Sequence, residues 1–245
     1  MIASPTQTMI DVEILLRIPG PWEGSKGLRA ALPRTAEYSD GRLVLQNGSA
    51  FEIQPRPMDE MLPNFFAKSC RQEPSPAELR RIKEAPTYLA LIGPGGSIAA
   101  AKQMLIAGAT LIRAGGMGVF IDNSGRVHLG KDWIELADNA EDIEALVYAW
   151  TSLIQSDRQL YSVGMHVLGC RDIAMKGKRQ LHQEDVLASL LGCLAGGTLS
   201  LIEDCYYMEP KIGAYRISSR QEASLQGNSP MHNPYGIWAL THDET

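Results

Sequence analysis

The stretch LALIGPGGSIAAAKQMLIAGATLIRAGG, residues 89–116, constrains the fold more than any other part of the chain. Thr87 to Ile92 is an unbroken apolar run, the pattern of a strand covered on both faces. Gly93-Pro94-Gly95-Gly96 then reverses the chain, and Ser97 is placed to cap a helix over about residues 97–114. On that helix Lys102, Gln103, Thr110 and Arg113 fall within one narrow wedge, and every other side chain is apolar or small. A helix of that kind is nearly surrounded by protein.

A strand, a glycine turn and a helix are also the parts of a phosphate cradle, so the turn is tested against both nucleotide templates. The dinucleotide fingerprint needs a small third residue, and Gly93, Gly95 and Ile98 occupy its three slots; isoleucine blocks the close helix approach that the last glycine allows. The P-loop needs a lysine after its last glycine, and here Ser97 follows Gly96. The turn reads as a structural reversal. The amides of Gly95, Gly96 and Ser97 are retained as a candidate anion site, since any helix N-terminus presents unpaired N–H groups. Asp122 stands at the strand end that a ribose-binding acid would occupy, but it directly precedes Asn123-Ser124-Gly125 and reads as a turn residue.

The remaining pattern predicts a mixed chain. Strands are expected at 11–18, 42–46, 50–54, 117–122, 126–129, 159–168, 171–176, 199–207 and 213–218, with Ile237–Leu240 docking as a last strand. Pro19, Pro21, Pro55 and Pro57 are expected to end the strands before them. Asn47-Gly48 is a two-residue hairpin signal. Helices are expected at 23–32, 59–69, 75–84, 131–137, 142–155 and 183–195. The second of the early pair carries a capping box, with Ser75 at the cap, Pro76 at the first helical position and Glu78 in the third. The order through residue 92 is that of a split βαβ, ferredoxin-like unit. The expected fold class is α+β, with two related halves in one compact body: an N-terminal half over 8–92, a C-terminal half over 93–222, and a tail over 223–245.

Composition removes several functional classes. Apolar residues are 44% and charged residues 21%, which is ordinary globular usage. The net charge of −5 offers no basic excess for a phosphate backbone or an anionic lipid surface. The one short basic cluster, Lys176, Lys178 and Arg179, reads as a solvated turn. Trp22, Trp133, Trp150 and Trp238 are too scattered to form a base-stacking platform. No nucleic-acid or membrane partner is expected: the N-terminus lacks a signal-peptide pattern, and no apolar run reaches the length of a membrane span. Cys70, Cys170, Cys193 and Cys205 form no C-x-x-C pair, which points away from a zinc ribbon or a dithiol motif; a disulfide between two of them is left open. The simplest location is the cytosol with reduced thiols.

The richest polar segment is 160–185, LYSVGMHVLGCRDIAMKGKRQLHQED. A Cys–His nucleophile would use Cys170 with His166 or His182, oriented by Asp172. A metal site would need several of these groups to converge. If the segment is a strand, His166 and Cys170 lie about 13 Å apart along it, which weakens the pair. His182, Glu184 and Asp185 read as the polar entry to a helix. No metal ligands and no cofactor are assigned. The adjacent acids Glu203-Asp204 and Glu141-Asp142 carry no acid–base geometry, and Tyr206 or Tyr207 is expected either to line a pocket or to join the core.

Several segments together resemble a known family: FEIQPRPMDEMLP at 51–63, TYLALIG at 87–93, AGA followed by AGGMGVFID within 107–122, YSVGMHVLGCRDIAM at 161–175, and the late glycine-containing strand KIGAYRI at 211–217. The stretch Gly164–Asp172 has the form GM-x-x-x-G-x-x-D. The chain resembles bacterial domain-of-unknown-function family four-two-six-one over roughly residues 10–220. The resemblance implies a cytosolic α+β domain and assigns no activity, cofactor or functional residue.

Two functional expectations follow. The first is a non-enzymatic binding or protein-interaction module, a homodimer through an exposed sheet face or edge or a partner of another protein, motivated by the absence of a complete catalytic constellation. The second is a small-molecule enzyme with a His/Cys/Asp site around 166–185.

Overall fold

The computed structural model describes residues 11–70, 72–176, 182–210, 212–220 and 229–242. Lys178 and Arg179 of the basic cluster, and residues 221–228 of the tail, lie outside them. The first sheet is built from β1 (Glu13–Gly20), β2 (Ala36–Ser39), β3 (Arg42–Leu45), β4 (Ala50–Pro57), β5 (Thr87–Pro94), β6 (Gly118–Ile121) and β7 (Val127–Leu129). Its order is β2-β3-β4-β5-β1-β6-β7, with every neighbouring pair antiparallel. The second sheet contains β8 (Ser152–Gln155), β9 (Gln159–Val163), β10 (Asp172–Lys176), β11 (Tyr206–Glu209), β12 (Gly213–Arg220) and β13 (Ile237–His242). Its order is β11-β12-β13-β10-β9-β8, and only β10 and β13 run parallel. The helices are α1 (Gly24–Ala31), α2 (Leu62–Ser69), α3 (Pro76–Lys83), α4 (Ile98–Arg113), α5 (Gly130–Asp138), α6 (Ile143–Trp150) and α7 (Gln183–Ala195).

Alternation along β1 explains how the first sheet is covered. Ile14, Leu16 and Ile18 point to one face and are fully buried. They join a large apolar cluster that runs through α4, α5, α6 and α7 to one face of the second sheet. A smaller cluster on the opposite face joins Leu62 and Phe66 of α2, Ile82 of α3, and Phe120, Val127 and Leu129 of β6 and β7. On that side Arg17 of β1 is clamped: its Nε and Nη2 donate to both oxygens of Asp122 at 2.8 and 2.6 Å, and its Nη1 donates to Asp59 at 2.9 Å. Asp122, expected as a turn residue, thus also closes a bidentate ion pair across the sheet.

The long helix α4 is as enclosed as its sequence requires. Ala101, Met104, Leu105, Ala107, Ala109 and Leu111 are fully buried. Gly108 faces the Trp133 indole, whose Nε1 would stand 2.7 Å from a β-carbon at residue 108 and donates to the Leu105 carbonyl at 3.1 Å. Three of the four wedge residues find partners across the surface: Lys102 with Glu141, Gln103 with Asn47 and Ser49, and Arg113 with Asp138. The fourth, Thr110, is buried and donates back to the Ile106 carbonyl.

Several expectations are corrected. In a split βαβ unit over residues 8–92, β1 would lie between β4 and β5; instead β5 pairs with both β4 and β1. Strands β5 and β6 run in the same direction on either side of β1, linked by α4. The sheets divide the chain between residues 129 and 152, so β6 and β7, from beyond residue 92, complete the first sheet. β4 does end at Pro57, but Pro19 and Pro55 do not end their strands. They sit beyond the stretch where β1 pairs with β6 or β4 pairs with β3, where a missing N–H costs no ladder bond. The helix expected over 142–155 stops at Trp150, because Thr151 is extended and Ser152–Gln155 pairs with β9. Leu153 and Ile154 suit a helix face and a strand equally well. The strand expected over 159–168 ends at Val163, where Gly164, at φ +113°, turns the chain into a single 3₁₀ turn over Met165–Leu168. The strand expected over 199–207 is confined to β11, and β2 was not foreseen. Ile237–Leu240 does dock as the last strand, between β12 and β10. All four cysteines are free thiols.

Candidate functional site

The glycine turn and the polar segment meet. Gly95 donates its amide to the Val12 carbonyl at 2.7 Å, and Gly96 donates to the Val167 carbonyl of the 3₁₀ turn at 3.0 Å. Ser97 accepts from the Ala100 amide at 3.2 Å and caps α4. Two of the amides considered for an anion are therefore already spent on protein carbonyls. Gly169, at φ +80°, closes the 3₁₀ turn directly against this reversal: a β-carbon there would lie 2.5 Å from the Gly96 carbonyl oxygen. Gly169→Ala is expected to cost about 2–4 kcal/mol, combining left-handed strain with a backbone clash. An unchanged urea midpoint in that variant would show that the contact is slack.

His166, Cys170 and Asp172 are brought close by this turn, not spread along a strand. The Gly169 amide donates to the His166 carbonyl at 3.0 Å and the Cys170 amide to the Met165 carbonyl at 3.0 Å. The His166 side chain is 2% exposed. Its Nε2 stands 3.1 Å from the Pro230 carbonyl, an acceptor, and 3.2 Å from the Asn123 amide nitrogen, a donor. Burial pushes the imidazole pKa down to about 4, against a smaller upward pull from the Pro230 carbonyl. The half-buried Cys170 thiol is pushed up, first by burial and then by the Asp172 charge. That is the opposite of what an activated nucleophile needs.

Asp172 is buried and acts as a hub. Its Oδ1 accepts from Ser162 Oγ at 2.8 Å and from the Met165 amide at 3.3 Å, and its Oδ2 accepts from Asn233 Nδ2 at 2.6 Å. Asn233 also donates to the Cys170 carbonyl at 3.0 Å. The carboxylate thereby pins the 3₁₀ turn and the segment around Asn233 to β10. It does not orient His166, whose Nδ1 has no partner among the described residues. His182 stands apart: it is half exposed, occupies the cap position of α7 at φ +64°, and faces Asp185 with Nδ1 3.6 Å from Oδ2. The four residues do not form one constellation.

A different grouping emerges around His166. It lines a pocket of about 270 Å³ with Asn123, His232, Pro230, Asp11 and Glu13. Asn123 is buried and its amide substitutes for a peptide on the edge of β1, with Oδ1 accepting from the Leu15 amide at 3.0 Å and Nδ2 donating to the Glu13 carbonyl at 2.9 Å. The same Nδ2 is 3.2 Å from His166 Nε2. The Nδ1 atoms of both His166 and His232 are buried without a hydrogen-bond partner among the described residues. Asn123, His232 and Asn233 were missed because nothing local marks them: the first sits in an Asn-Ser-Gly turn and the others in a polar tail, 43 or more residues from the turn they contact. The buried His128, whose Nε2 lies 2.9 Å from the Ala149 carbonyl, was missed for the same reason.

No family model, curated protein or solved structure matches the chain. Among the described residues, no helix is long and apolar enough to cross a membrane, and no group of three or more His, Cys, Asp or Glu is placed to hold a metal ion.

Proposed function

We propose that the chain is a non-enzymatic binding or protein-interaction module, located in the cytosol and working through the β11 end of the second sheet. The observation that carries this reading is a concentration of exposed apolar groups there: Ile202 is 63% exposed, Tyr206 53% and Met208 69%. Exposed apolar groups gathered on an end strand favour a contact surface, because such a strand has hydrogen-bonding groups to offer as well as apolar area. The buried roles of His166 and Asp172 support the same choice. Sedimentation of the purified protein, followed by affinity capture at matched concentration, is expected to show self-association or one stoichiometric protein partner. A monomer that retains no partner would sink the proposal.

One observation favours the second reading, a small-molecule enzyme. It is the pocket lined by His166 and His232 together with Asp11 and Glu13. On that reading a substrate would change the ¹⁵N shifts of the His166 and His232 ring nitrogens. A metabolite mixture that moves neither resonance counts against it. The family resemblance does not weigh between the two readings, since it implies no activity.

A further inference from the structure

We propose that β11 pairs antiparallel with β11 of a second copy of the chain, about a two-fold axis through Tyr207. Tyr206 of each copy then lies opposite Met208 of the other. This rests on the interaction-module reading and gives it a partner and a register.

Among the described residues β11 pairs with β12 alone. Alternate residues of a strand share a face. Tyr206 and Met208 therefore lie together on one face, both more than half exposed, while Tyr207 and Glu209 turn to the other and are partly buried. A two-fold axis perpendicular to the sheet keeps each face on its own side, so a residue can oppose only itself or one an even number of places away. Four registers meet that condition within the strand, and centring on Glu209 sets Met208 against Pro210, which has no N–H for the new ladder. Centring on Tyr206 sets Met208 against Asp204, a residue at φ +60° whose carboxylate is held by Arg216 at 2.9 Å. Centring on Met208 sets Tyr206 against Pro210, which has no N–H for the new ladder. Centring on Tyr207 sets Tyr206 against Met208 twice, gathering four exposed apolar side chains into one cluster. Directly opposed aromatic and apolar pairs are the unit of sheet stabilisation.

The pattern Tyr206-Tyr207-Met208 is thus complementary to itself, which argues for a second copy over an unrelated strand that would have to supply its own matched pair. Two four-residue strands make a small interface, so the dimer forms with rising concentration instead of being obligate.

Cysteine cross-linking reads the register, with Cys205→Ser as the background because Cys205 is exposed beside the strand. Directly opposed residues have Cα atoms about 4.5–5.5 Å apart, within disulfide reach. Under mild oxidation, Tyr206→Cys protein mixed with Met208→Cys protein is expected to give a covalent dimer, and neither variant alone to do so. Sedimentation equilibrium is expected to show a dimer that Met208→Lys weakens by at least about tenfold; circular dichroism confirms that this exposed substitution leaves the fold intact. Cross-linking of either variant alone means a different register and overturns the inference while leaving the module reading in place. So does a dimer that is indifferent to Met208→Lys and never cross-links, since the contact then lies elsewhere. A chain that stays monomeric at millimolar concentration overturns the dimer, and the module reading then depends on its own capture test.

Discussion

Lowering the pH from 7 towards 4 is expected to remove about 3 kcal/mol of stability through each of two buried histidines, His128 and His166. Both are held neutral in the folded chain. Burial pushes each pKa from 6.5 down to about 4, and neither the Ala149 carbonyl beside His128 nor the Pro230 carbonyl beside His166 offsets it. The unfolded chain takes up protons first as the pH drops below 6.5, so the unfolded state gains and the folded state does not. The stability these residues confer is complete above about pH 6.5 and gone below about pH 4, with about 2 kcal/mol each already lost by pH 5. That upper part of the window precedes the titration of ordinary carboxylates, so it reports on the histidines. Urea midpoints measured from pH 7 to pH 5 should fall steadily, and His128→Gln should roughly halve the slope. A flat profile above pH 5 would mean that these rings are open to water or proton donors in the folded chain.

The second large effect is expected from Asp172→Ala: a loss of about 3–5 kcal/mol, because removing a buried carboxylate strands the donors aimed at it. These include Ser162 Oγ, the Met165 amide and Asn233 Nδ2. At this chain length the melting temperature should fall by roughly 10 °C. Hydrogen exchange localises the damage. Asn233 Oδ1 accepts from the Tyr235 amide at 2.9 Å, and the Asn233 carbonyl accepts from the Gly236 amide at 3.0 Å. Both amides should exchange faster in the variant. If stability and exchange were unchanged while a turnover was lost, Asp172 would be a catalytic group, and the enzyme reading would replace the module.

Where a structural choice is made within a few residues, the sequence shows it. The Ser75-Pro76-Ala77-Glu78 run is a capping box in the structure, with Glu78 reaching back to the Ser75 amide at 2.8 Å. Asn47-Gly48 turns the β3–β4 hairpin, with Gly48 at φ +84°. The glycine turn before α4 reverses the chain and Ser97 caps the helix, as the residue types require. Errors arose where one local pattern fits two structures. Leu153 and Ile154 continue the helical spacing of α6 and also fit a strand, and only pairing with Ser162 and Tyr161 selects the strand. Val163 to Cys170 reads as extended until Gly164 and Gly169 are seen to adopt positive φ at both ends of a tight turn.

The candidate site divides the same way. The sequence identifies His166, Cys170 and Asp172 as chemically capable groups, since residue type is a local property. Whether they react depends on burial and on partners far along the chain: Asn123 on one side of His166, Pro230 on the other, and Asn233 on Asp172. Those contacts span 43 to 64 residues and leave no periodic trace. The sequence alone determined most of the element types, the caps at Ser75 and Ser97 and the Asn47-Gly48 turn, because backbone sterics and hydrogen-bond patterns act over a few residues. The tertiary structure alone decided which strands pair, which histidines stay neutral and which apolar edge faces solvent, because burial and pairing arise only when distant segments exclude water together.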